Sequence, residues 1–211
     1  MDRSLPAYRH DVIPLVPPGE RLLDIGGGCG ATALELKRLG RCKVAGVADK
    51  VASPEPGALD FTCRIDLTEP QALPRVVAEY GPFDTVLCLD VLEHLPQPER
   101  LMPEIFASLR PGGTLVASIP NVRHWSVVMP LLLRGRWDYA DAGILDRTHL
   151  RFFVRDSAVA LIGDAGFTIE AVKRSGFGHR KYRVMNALSL GLLRDLFVIQ
   201  YYIVAKRPAL A

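Results

Sequence analysis

The segment covering residues 21–39 constrains the fold of this chain more than any other part of the sequence. The apolar run Arg21–Ile25 predicts a buried strand, and it passes directly into a glycine-rich loop, GGGCG, at residues 26–30. Residues 31–39 follow with apolar side chains at helical spacing. Glycines let the backbone approach a ligand closely, and a helix N-terminus presents free N–H groups. The segment therefore predicts a ligand-binding turn between a strand and a helix.

The other apolar runs alternate with helical patterns along the chain. We predict strands over residues 43–47, 59–65, 84–89, 114–119, 167–172 and 197–204, and helices over residues 99–109 and 156–165. Pro103 lies inside the first of these helices, so that helix either starts late or is kinked. Strands that alternate with helices of about ten residues form crossover units, which predict a mostly parallel sheet with helices on both faces.

The composition fits one folded domain, residues 1–211. Apolar residues make up 49% of the chain and charged residues 23%, close to the averages of folded soluble proteins. Residues 120–155 connect the fifth strand to the next helix, and a connection of this length predicts an insert with helices of its own. We expect this insert to form a lid over the active site.

Several classes of protein do not fit the sequence. Residues 111–122, the longest stretch without a charge, are too short to span a membrane, and residues 1–11 lack the apolar region of a secretory signal, so a cytoplasmic protein is predicted. Four isolated cysteines, with no sequence cluster of Asp, Glu and His, predict neither a disulfide framework nor a metal site. A net charge of +3 is too small to indicate a nucleic acid partner.

Asp24 distinguishes two kinds of ligand for the glycine loop. Gly26, Gly28 and Ala31 also match the dinucleotide pattern G-x-G-x-x-G/A. A dinucleotide places its pyrophosphate at this turn, where the Asp24 carboxylate would repel it. S-adenosylmethionine has no phosphate and carries a sulfonium and an ammonium group, so a carboxylate at the strand end favours it. The alternative interpretation is that Asp24 only caps the turn.

Five landmarks in the right order resemble class I S-adenosylmethionine-dependent methyltransferases over nearly the whole chain. They are LLDIGGGCG, the acids Asp49 and Asp66, FDTVLCLDVLEHL, LRPGGTLVASIPN and FVIQYYIVAKR. The resemblance implies an α/β fold, a Rossmann-like, doubly wound and mostly parallel sheet of seven strands in the order 3-2-1-4-5-7-6, with strand 7 antiparallel and a helical lid insert. Within the class, the insert is similar to a branch of glycan and small-molecule tailoring enzymes, and through PNVRHW and LLLRGR also to MetW-type proteins.

The resemblance also implies S-adenosylmethionine as the cofactor, bound across the carboxyl ends of strands 1 to 4. The residues that it assigns to this ligand have distinct places. Asp24 would order the amino acid end, Gly26, Gly28 and Gly30 would shape the floor under the methionine and ribose portions, Asp66 and Leu67 would contact the adenine, and Leu89 would contact the methionine moiety.

Asp49 departs from the family's pattern by one position. In the family, the residue immediately after the Gly-Val of strand 2 is an acid, which binds the ribose hydroxyls. In this sequence Ala48 follows Gly46-Val47, and Asp49 comes one position later. A shift of one residue in a strand turns a side chain to the opposite face. At a strand end the backbone can bend, so either Asp49 still reaches the ribose or the cofactor is bound less tightly.

Methyl transfer to a hydroxyl acceptor needs a positioned acceptor and a group that takes its proton, and histidine is the natural base near neutral pH. His124 follows the fifth strand, and His149 lies at the end of the insert, so either is a candidate catalytic base; both could instead stiffen the lid. Asp146 could orient His149, and Arg147 or Arg151 could bind an acidic acceptor. His94 is expected to have a structural role in its loop.

The leading functional hypothesis is methylation of a small molecule, most plausibly O-methylation of a sugar, a lipid-linked intermediate or a related metabolite. The alternative is a MetW-type protein that binds S-adenosylmethionine and assists or regulates another enzyme. A third hypothesis, an RNA methyltransferase, depends on the basic residues at 173–183 and lacks an RNA-binding motif. An apolar stripe at residues 125–137 predicts an amphipathic lid helix packed on the domain, with binding at a membrane surface as the alternative. We expect a small-molecule acceptor, no nucleic acid and no stable membrane insertion, and a homodimer or a protein partner stays open.

Overall fold

The computed structural model describes residues 8–51, 57–175, 182, 184, 186–187 and 189–209. It contains seven strands: β1 Arg21–Ile25, β2 Val44–Asp49, β3 Phe61–Arg64, β4 Phe83–Leu89, β5 Leu109–Pro120, β6 Thr168–Arg174 and β7 Gln200–Lys206. The α-helices are α1 Ala31–Arg38, α2 Ala72–Tyr80, α3 Pro98–Ser108, α4 Trp125–Arg134 and α5 Arg155–Asp164.

The strands form one sheet in the order β3-β2-β1-β4-β5-β7-β6. β1 pairs in parallel with both β2 and β4, where Leu23 lies opposite Gly46 on one side and Val86 on the other. β7 runs antiparallel to β5 and β6. The predicted strand order and the antiparallel strand 7 are confirmed. In open α/β sheets of this kind, ligands bind at the carboxyl ends of the strands.

The sheet separates two hydrophobic clusters because successive side chains of a strand point to opposite faces. In β1, Leu22 joins the cluster under α1, and Leu23 joins the larger cluster under α2, α3 and α5. The second cluster also contains Leu36 from α1, and the larger one contains Ile105 from α3 and Ile162 from α5. Helices therefore cover both faces, as predicted, and the ends of the parallel strands are left for a ligand.

Some element boundaries differ from the sequence prediction. The helix α2 was not predicted. Its N-terminus is capped by a residue of α3, because the backbone N–H groups of Gln71 and Leu73 donate to the Glu104 carboxylate at 2.8 and 3.0 Å. β5 begins at Leu109, so the Pro-Gly-Gly turn lies inside that strand. β7 begins later than predicted because Arg194–Phe197 forms a 3-10 turn before it. Pro103 lies within α3.

The predicted insert contains α4, whose C-cap is Gly135. Within α4 only Val127 is buried, whereas the side chains of Leu132 and Leu133 are each 72% exposed. The prediction that the apolar stripe packs on the domain is therefore wrong for these two leucines, and the other exposed side chains of the stripe are Trp125, Met129 and Leu131. Among the residues with described positions, no helix is both long enough and apolar enough to cross a membrane. Most of the basic segment at residues 173–183 lies outside the described residues.

The contact between β2 and β3 gives a prediction about stability. A Cβ atom on Gly46 would lie 2.2 Å from the Phe61 ring, which stacks on Tyr80 with ring centroids 4.3 Å apart. We expect Gly46→Ala to lower the free energy of unfolding by about 1–3 kcal/mol, since overpacking forces the ring to move. Urea denaturation followed by circular dichroism measures this change.

Gly163→Ala is the matched control. It adds the same methyl group in α5, where no atom lies within 4 Å of the new Cβ. The free energy of unfolding should rise by about 0.5–1 kcal/mol because alanine favours the helix. A Gly46→Ala protein as stable as the wild type would contradict the close packing of Gly46 on Phe61.

Candidate active site

The carboxyl ends of the first four strands bring four aspartates to one edge of the sheet. Asp24 belongs to β1, Asp49 ends β2, Asp66 follows β3 and Asp90 follows β4. Each of these positions is fixed by the parallel register of its strand with its neighbours. Anionic side chains this close together repel one another unless each has a partner, so the partners of each carboxylate define the site.

Asp24 differs from the other three aspartates in having a buried carboxylate oxygen that accepts no hydrogen bond from the described residues. The residue is 2% exposed, and the oxygen is its Oδ1. Burial, followed by the charge of Asp49, raises the pKa of Asp24 to about 7 against the opposing effect of the Arg9 guanidinium. The interpretation that Asp24 only caps the turn has no hydrogen bond to support it. A buried carboxylate in this state is suited to a cationic ligand.

Asp49 lies against the glycine loop. Its Oδ2 accepts a hydrogen bond from the Gly28 N–H at 2.8 Å, and its Oδ1 accepts one from the Val51 N–H at 2.8 Å. Val47, two residues earlier, packs toward the loop, whereas Ala48 is fully buried in the cluster on the opposite face. The displacement by one residue therefore leaves Asp49 on the face that carries the loop.

Gly28 has open space above its backbone. Its φ is +55°, in the left-handed region that favours glycine, and a Cβ there would meet no atom within 4 Å. Gly28 does not line either of the two cavities described below, so its role in the floor under the cofactor stays a prediction.

Hydrogen bonds and an ion pair from neighbouring residues stabilise the negative charge of Asp66. Its Oδ2 accepts a hydrogen bond from Lys50 Nζ at 2.7 Å, and its Oδ1 accepts from the Thr68 hydroxyl at 2.7 Å and the Thr68 N–H at 3.0 Å. The Lys50 hydrogen bond, followed by those from Thr68, holds the pKa of Asp66 well below its usual range. Asp66 is therefore ionised and held in place at neutral pH.

Two adjoining cavities meet at Gly26 and bring the predicted cofactor residues together. One, of about 180 Å³, is lined by residues that include Asp24, Gly26 and Leu89. The other, of about 400 Å³, is lined by residues that include Gly26, Asp49, Asp66, Leu67 and His94. Gly30 lines neither cavity and is the N-cap of α1. A Cβ atom on Gly30 would lie 2.5 Å from the Leu59 side chain, so the close packing of the loop on Leu59 requires glycine here.

The sequence prediction missed Arg9, which lines the smaller cavity beside Asp24. The Arg9 guanidinium donates to the carboxylates of Asp90 and Asp11, and to Gln200 Oε1 at 3.1 Å. Asp90, in turn, adopts a φ of +55° and accepts a hydrogen bond from the Ser118 hydroxyl at 2.9 Å. No motif around Arg9 signals these contacts, because every partner except Asp11 is distant in the chain.

The two predicted catalytic histidines have different surroundings. His124 is the N-cap of α4, where its Nδ1 accepts a hydrogen bond from the Ser126 N–H at 3.3 Å. Burial lowers the pKa of His124, which favours its neutral form. Neither His124 nor His149 lines either of the two cavities. The cap on α4 supports the structural alternative for His124, a residue that fixes the start of this helix.

His149 lies beside His94, with ring centroids 4.7 Å apart in an edge-to-face arrangement. It is buried, and its Nδ1 lies 3.0 Å from the Ile144 carbonyl oxygen, which accepts the ring N–H. Ile144 therefore orients the ring, rather than the Asp146 side chain, whose Oδ1 is bound to Thr148. Arg147 pairs with Asp141, and Arg151 donates to the Pro96 carbonyl, so both arginines already have partners.

Glu93 completes this group and was not among the predicted site residues, although it belongs to the landmark FDTVLCLDVLEHL. Glu93 is 1% exposed, and both of its carboxylate oxygens lack a hydrogen-bond partner among the described residues. Burial, with a smaller contribution from the charge of Asp90, raises the pKa of Glu93 to about 8. Glu93, His94 and His149 each offer a ligand atom within 4.8 Å of the others. The expectation that no cluster of acids and histidines exists is thus wrong for the described residues, since the fold joins two distant segments.

The chain matches known methyltransferases. A family model described as a methyltransferase domain matches residues 1–172. A ubiquinone biosynthesis O-methyltransferase of Burkholderia thailandensis is 26% identical over 163 residues, which are 72% of this chain and 69% of that protein. A protein of the same name from Xanthomonas campestris is 31% identical over 107 residues, 49% of this chain and 44% of that protein. This chain thus spans from under half to about two thirds of the length of these relatives.

A solved structure shares the fold. The 1,6-didemethyltoxoflavin-N1-methyltransferase of Burkholderia thailandensis, with bound 1,6-didemethyltoxoflavin and S-adenosylhomocysteine, is 16% identical. The alignment covers 94% of this chain and 77% of that chain, with a TM-score of 0.60.

The MetW-type alternative gains no support from these comparisons. The family match covers every landmark from the glycine loop to the insert, and S-adenosylmethionine is the cofactor of the family. The chain therefore belongs to the methyltransferase domain family and is an S-adenosylmethionine-dependent methyltransferase of class I.

Proposed function

We propose that this enzyme transfers a methyl group to a hydroxyl oxygen of a small molecule. The observation that carries the proposal is the buried Asp24 carboxylate beside the glycine loop, whose Oδ1 accepts no hydrogen bond from the described residues, at a cavity that adjoins the one lined by His94. An oxygen acceptor is supported by the two relatives described above, which are both named O-methyltransferases. A sugar, a lipid-linked intermediate or a related metabolite is the acceptor class that we propose.

The residues present fit the cofactor. Asp24 would hold the ammonium group, because its Oδ1 is buried and lacks a donor. Arg9, at the same cavity, carries the charge that suits the carboxylate of the amino acid end. Asp49 would bind the ribose hydroxyls through the lone pairs that Gly28 and Val51 leave free, and Asp66 with Leu67 would contact the adenine. When bound, S-adenosylmethionine supplies an electrophilic methyl group on a sulfonium.

His149 is the residue that we propose to contact the acceptor. Since its Nδ1–H donates to the Ile144 carbonyl, its Nε2 carries the free lone pair, which can accept a hydrogen bond from a hydroxyl group. Positioning of the acceptor in this way can lower the barrier by roughly 7–11 kcal/mol, and removal of its proton adds roughly a hundredfold or more in rate. Residues 120–155 are proposed to act as the lid on this side.

The ribose contact is tested by Asp49→Ala. We expect the variant to bind S-adenosylmethionine more weakly by about 1.5–3 kcal/mol, the range for hydrogen bonds to a charged group, as measured by calorimetry. Asp60→Ala is the matched control. Asp60 also accepts a hydrogen bond from a backbone N–H, that of Ala45 at 2.8 Å, but it precedes β3 at the amino end of the strand, away from the proposed cofactor site. Equal affinity of the Asp49→Ala protein and the wild type would show that another residue holds the ribose. Tight binding of NADH instead would contradict the cofactor site.

The Asp24→Asn variant tests how the buried charge of Asp24 affects the stability of the protein and, separately, its affinity for S-adenosylmethionine. The pKa of Asp24 is about 7 in the folded protein against 3.8 in the unfolded chain, so the folded state loses stability as the pH rises through that window. The side chain of the Asn variant does not titrate, so the variant does not lose this stability. The difference in unfolding free energy between the variant and the wild type should therefore increase from pH 4 to pH 7 and reach about 2–4 kcal/mol in favour of the variant at pH 8. Arg9 and Asp49 face Asp24 and remain in both proteins, and the buried Cys88 thiol also senses its charge.

Urea denaturation at pH 5 and pH 8 measures this gain, and calorimetry at pH 8 measures the affinity. We expect the Asn variant to bind S-adenosylmethionine at least tenfold more weakly, since the ammonium group loses its counter-charge. Asp138→Asn is the control, at an exposed carboxylate paired with Arg136. This variant should have the unfolding free energy of the wild type at both pH values and the wild-type affinity at pH 8. An Asn variant that is less stable than the wild type at pH 8 would contradict the buried, unpartnered state of Asp24.

Turnover is tested with pools of small metabolites and a methyl donor that carries an isotopic label. We expect label in a product whose hydroxyl group has become a methyl ether. With that acceptor, His149→Ala should bind the donor within about twofold of the wild type and lower turnover by roughly a hundredfold or more. His124→Ala should keep turnover within about threefold. Equal losses in the two variants, or label on nitrogen only, would contradict the proposed acceptor site.

A further inference from the structure

The grouping of Glu93, His94 and His149 is built by two segments that the backbone ties together. The Glu93 carbonyl oxygen accepts hydrogen bonds from the N–H groups of Leu150 at 2.8 Å and Arg151 at 3.0 Å. His149 therefore lies beside the Glu93–His94 turn at a fixed distance. One ligand atom from each of the three side chains lies within 4.8 Å of the other two.

Hydrogen bonds determine which ring nitrogen of each histidine is free. The Nδ1 of His149 lies 3.0 Å from the Ile144 carbonyl, which can only accept, so this Nδ1 carries the proton. The Nδ1 of His94 lies 3.0 Å from Thr148 Oγ1 and 3.3 Å from the Thr148 carbonyl. Because the Thr148 hydroxyl donates to Asp146 at 2.7 Å, it too accepts from His94. Both Nε2 atoms therefore keep a free lone pair.

This arrangement is typical of metal-ligating histidines. Such a histidine donates its other ring N–H to a carbonyl, a carboxylate or a water molecule, which fixes the ring and its tautomer. The Glu93 carboxylate supplies the third group. Both of its oxygens are buried without a hydrogen-bond donor in the part of the chain that the structure describes, and burial of an uncompensated carboxylate costs several kcal/mol. A cation beside two neutral imidazoles would offset that cost.

We propose that Glu93, His94 and His149 bind a divalent transition-metal ion. One carboxylate with two imidazoles is a ligand set for Zn²⁺, Mn²⁺, Fe²⁺ or Co²⁺, whereas Mg²⁺ and Ca²⁺ prefer oxygen ligands throughout. Three protein ligands leave at least one coordination position for a small molecule.

The open position adjoins the cofactor cavity. His94 lines that cavity together with Asp49, Asp66 and Asp90. If the proposed function holds, on which this step rests, the open position takes the acceptor oxygen, and the ion lowers the pKa of the coordinated hydroxyl group so that its proton leaves to water. With the ion bound, the Nε2 lone pair of His149 is a metal ligand and no longer accepts from the acceptor hydroxyl. The ion then replaces His149 as the group that contacts the acceptor oxygen.

The test measures metal binding directly, without cofactor or acceptor. The full chain is stripped with a chelator and dialysed against Zn²⁺ in the presence of excess Mg²⁺, and bound zinc is measured by mass spectrometry. We expect about one Zn²⁺ per chain, and Co²⁺ in its place should give visible absorption bands of a nitrogen- and oxygen-ligated ion. His149→Ala and the isosteric Glu93→Gln should each weaken Zn²⁺ binding at least tenfold.

His10→Ala is the matched control, because His10 is an exposed histidine that lies outside the group, and it should bind Zn²⁺ as the wild type does. Unchanged binding in Glu93→Gln and His149→Ala, equal losses in all variants, or displacement of Zn²⁺ by Mg²⁺ would each overturn the proposal. Calorimetry of the metal-free chain with S-adenosylmethionine distinguishes the two proposals. If that cofactor fails to bind while Zn²⁺ binds as expected, the proposed function fails and the metal site remains.

Discussion

The parallel pairing of β1 with β2 and β4 is the constraint on which the rest of the site depends. This register brings the carboxylates of Asp24, Asp49, Asp66 and Asp90 to one edge of the sheet. Three of them are stabilised by neighbours: Asp49 by backbone N–H groups, Asp66 by Lys50 and Thr68, and Asp90 by Arg9 and Ser118. Of the four, only Asp24 has a buried carboxylate oxygen that accepts no hydrogen bond from the part of the chain that the structure describes, and a cationic ligand would supply the missing donor.

The second half of the site depends on the insert. Its last residues return to the sheet through the hydrogen bonds of Leu150 and Arg151 with Glu93, and this return brings His149 against His94. The start of the insert is fixed separately, since His124 caps α4. The two histidines that sequence alone could not separate thus have different surroundings: His124 caps a helix, and His149 lies beside His94 and a buried glutamate.

Local signals account for part of what the sequence predicted correctly. The strand, glycine loop and helix at residues 21–38 follow from short-range periodicity and from the backbone freedom of glycine. The sheet order, in contrast, was predicted from the resemblance to class I methyltransferases and not from local signals. The α2 helix was missed because the cap of its first turn comes from Glu104, on a later helix. Arg9 and the Glu93 group were missed because their contacts join residues far apart in the chain. The apolar stripe of α4 predicted a helix correctly, but periodicity cannot show that Leu132 and Leu133 face solvent.

A crystal structure of the full chain with S-adenosylhomocysteine tests the central claim most directly. We expect the ligand to lie over the glycine loop, with its ammonium group within hydrogen-bond distance of Asp24 and its ribose beside Asp49. A ligand bound elsewhere, or one whose ammonium group leaves the Asp24 carboxylate unpartnered, would contradict the assignment of this buried charge to the methyl donor.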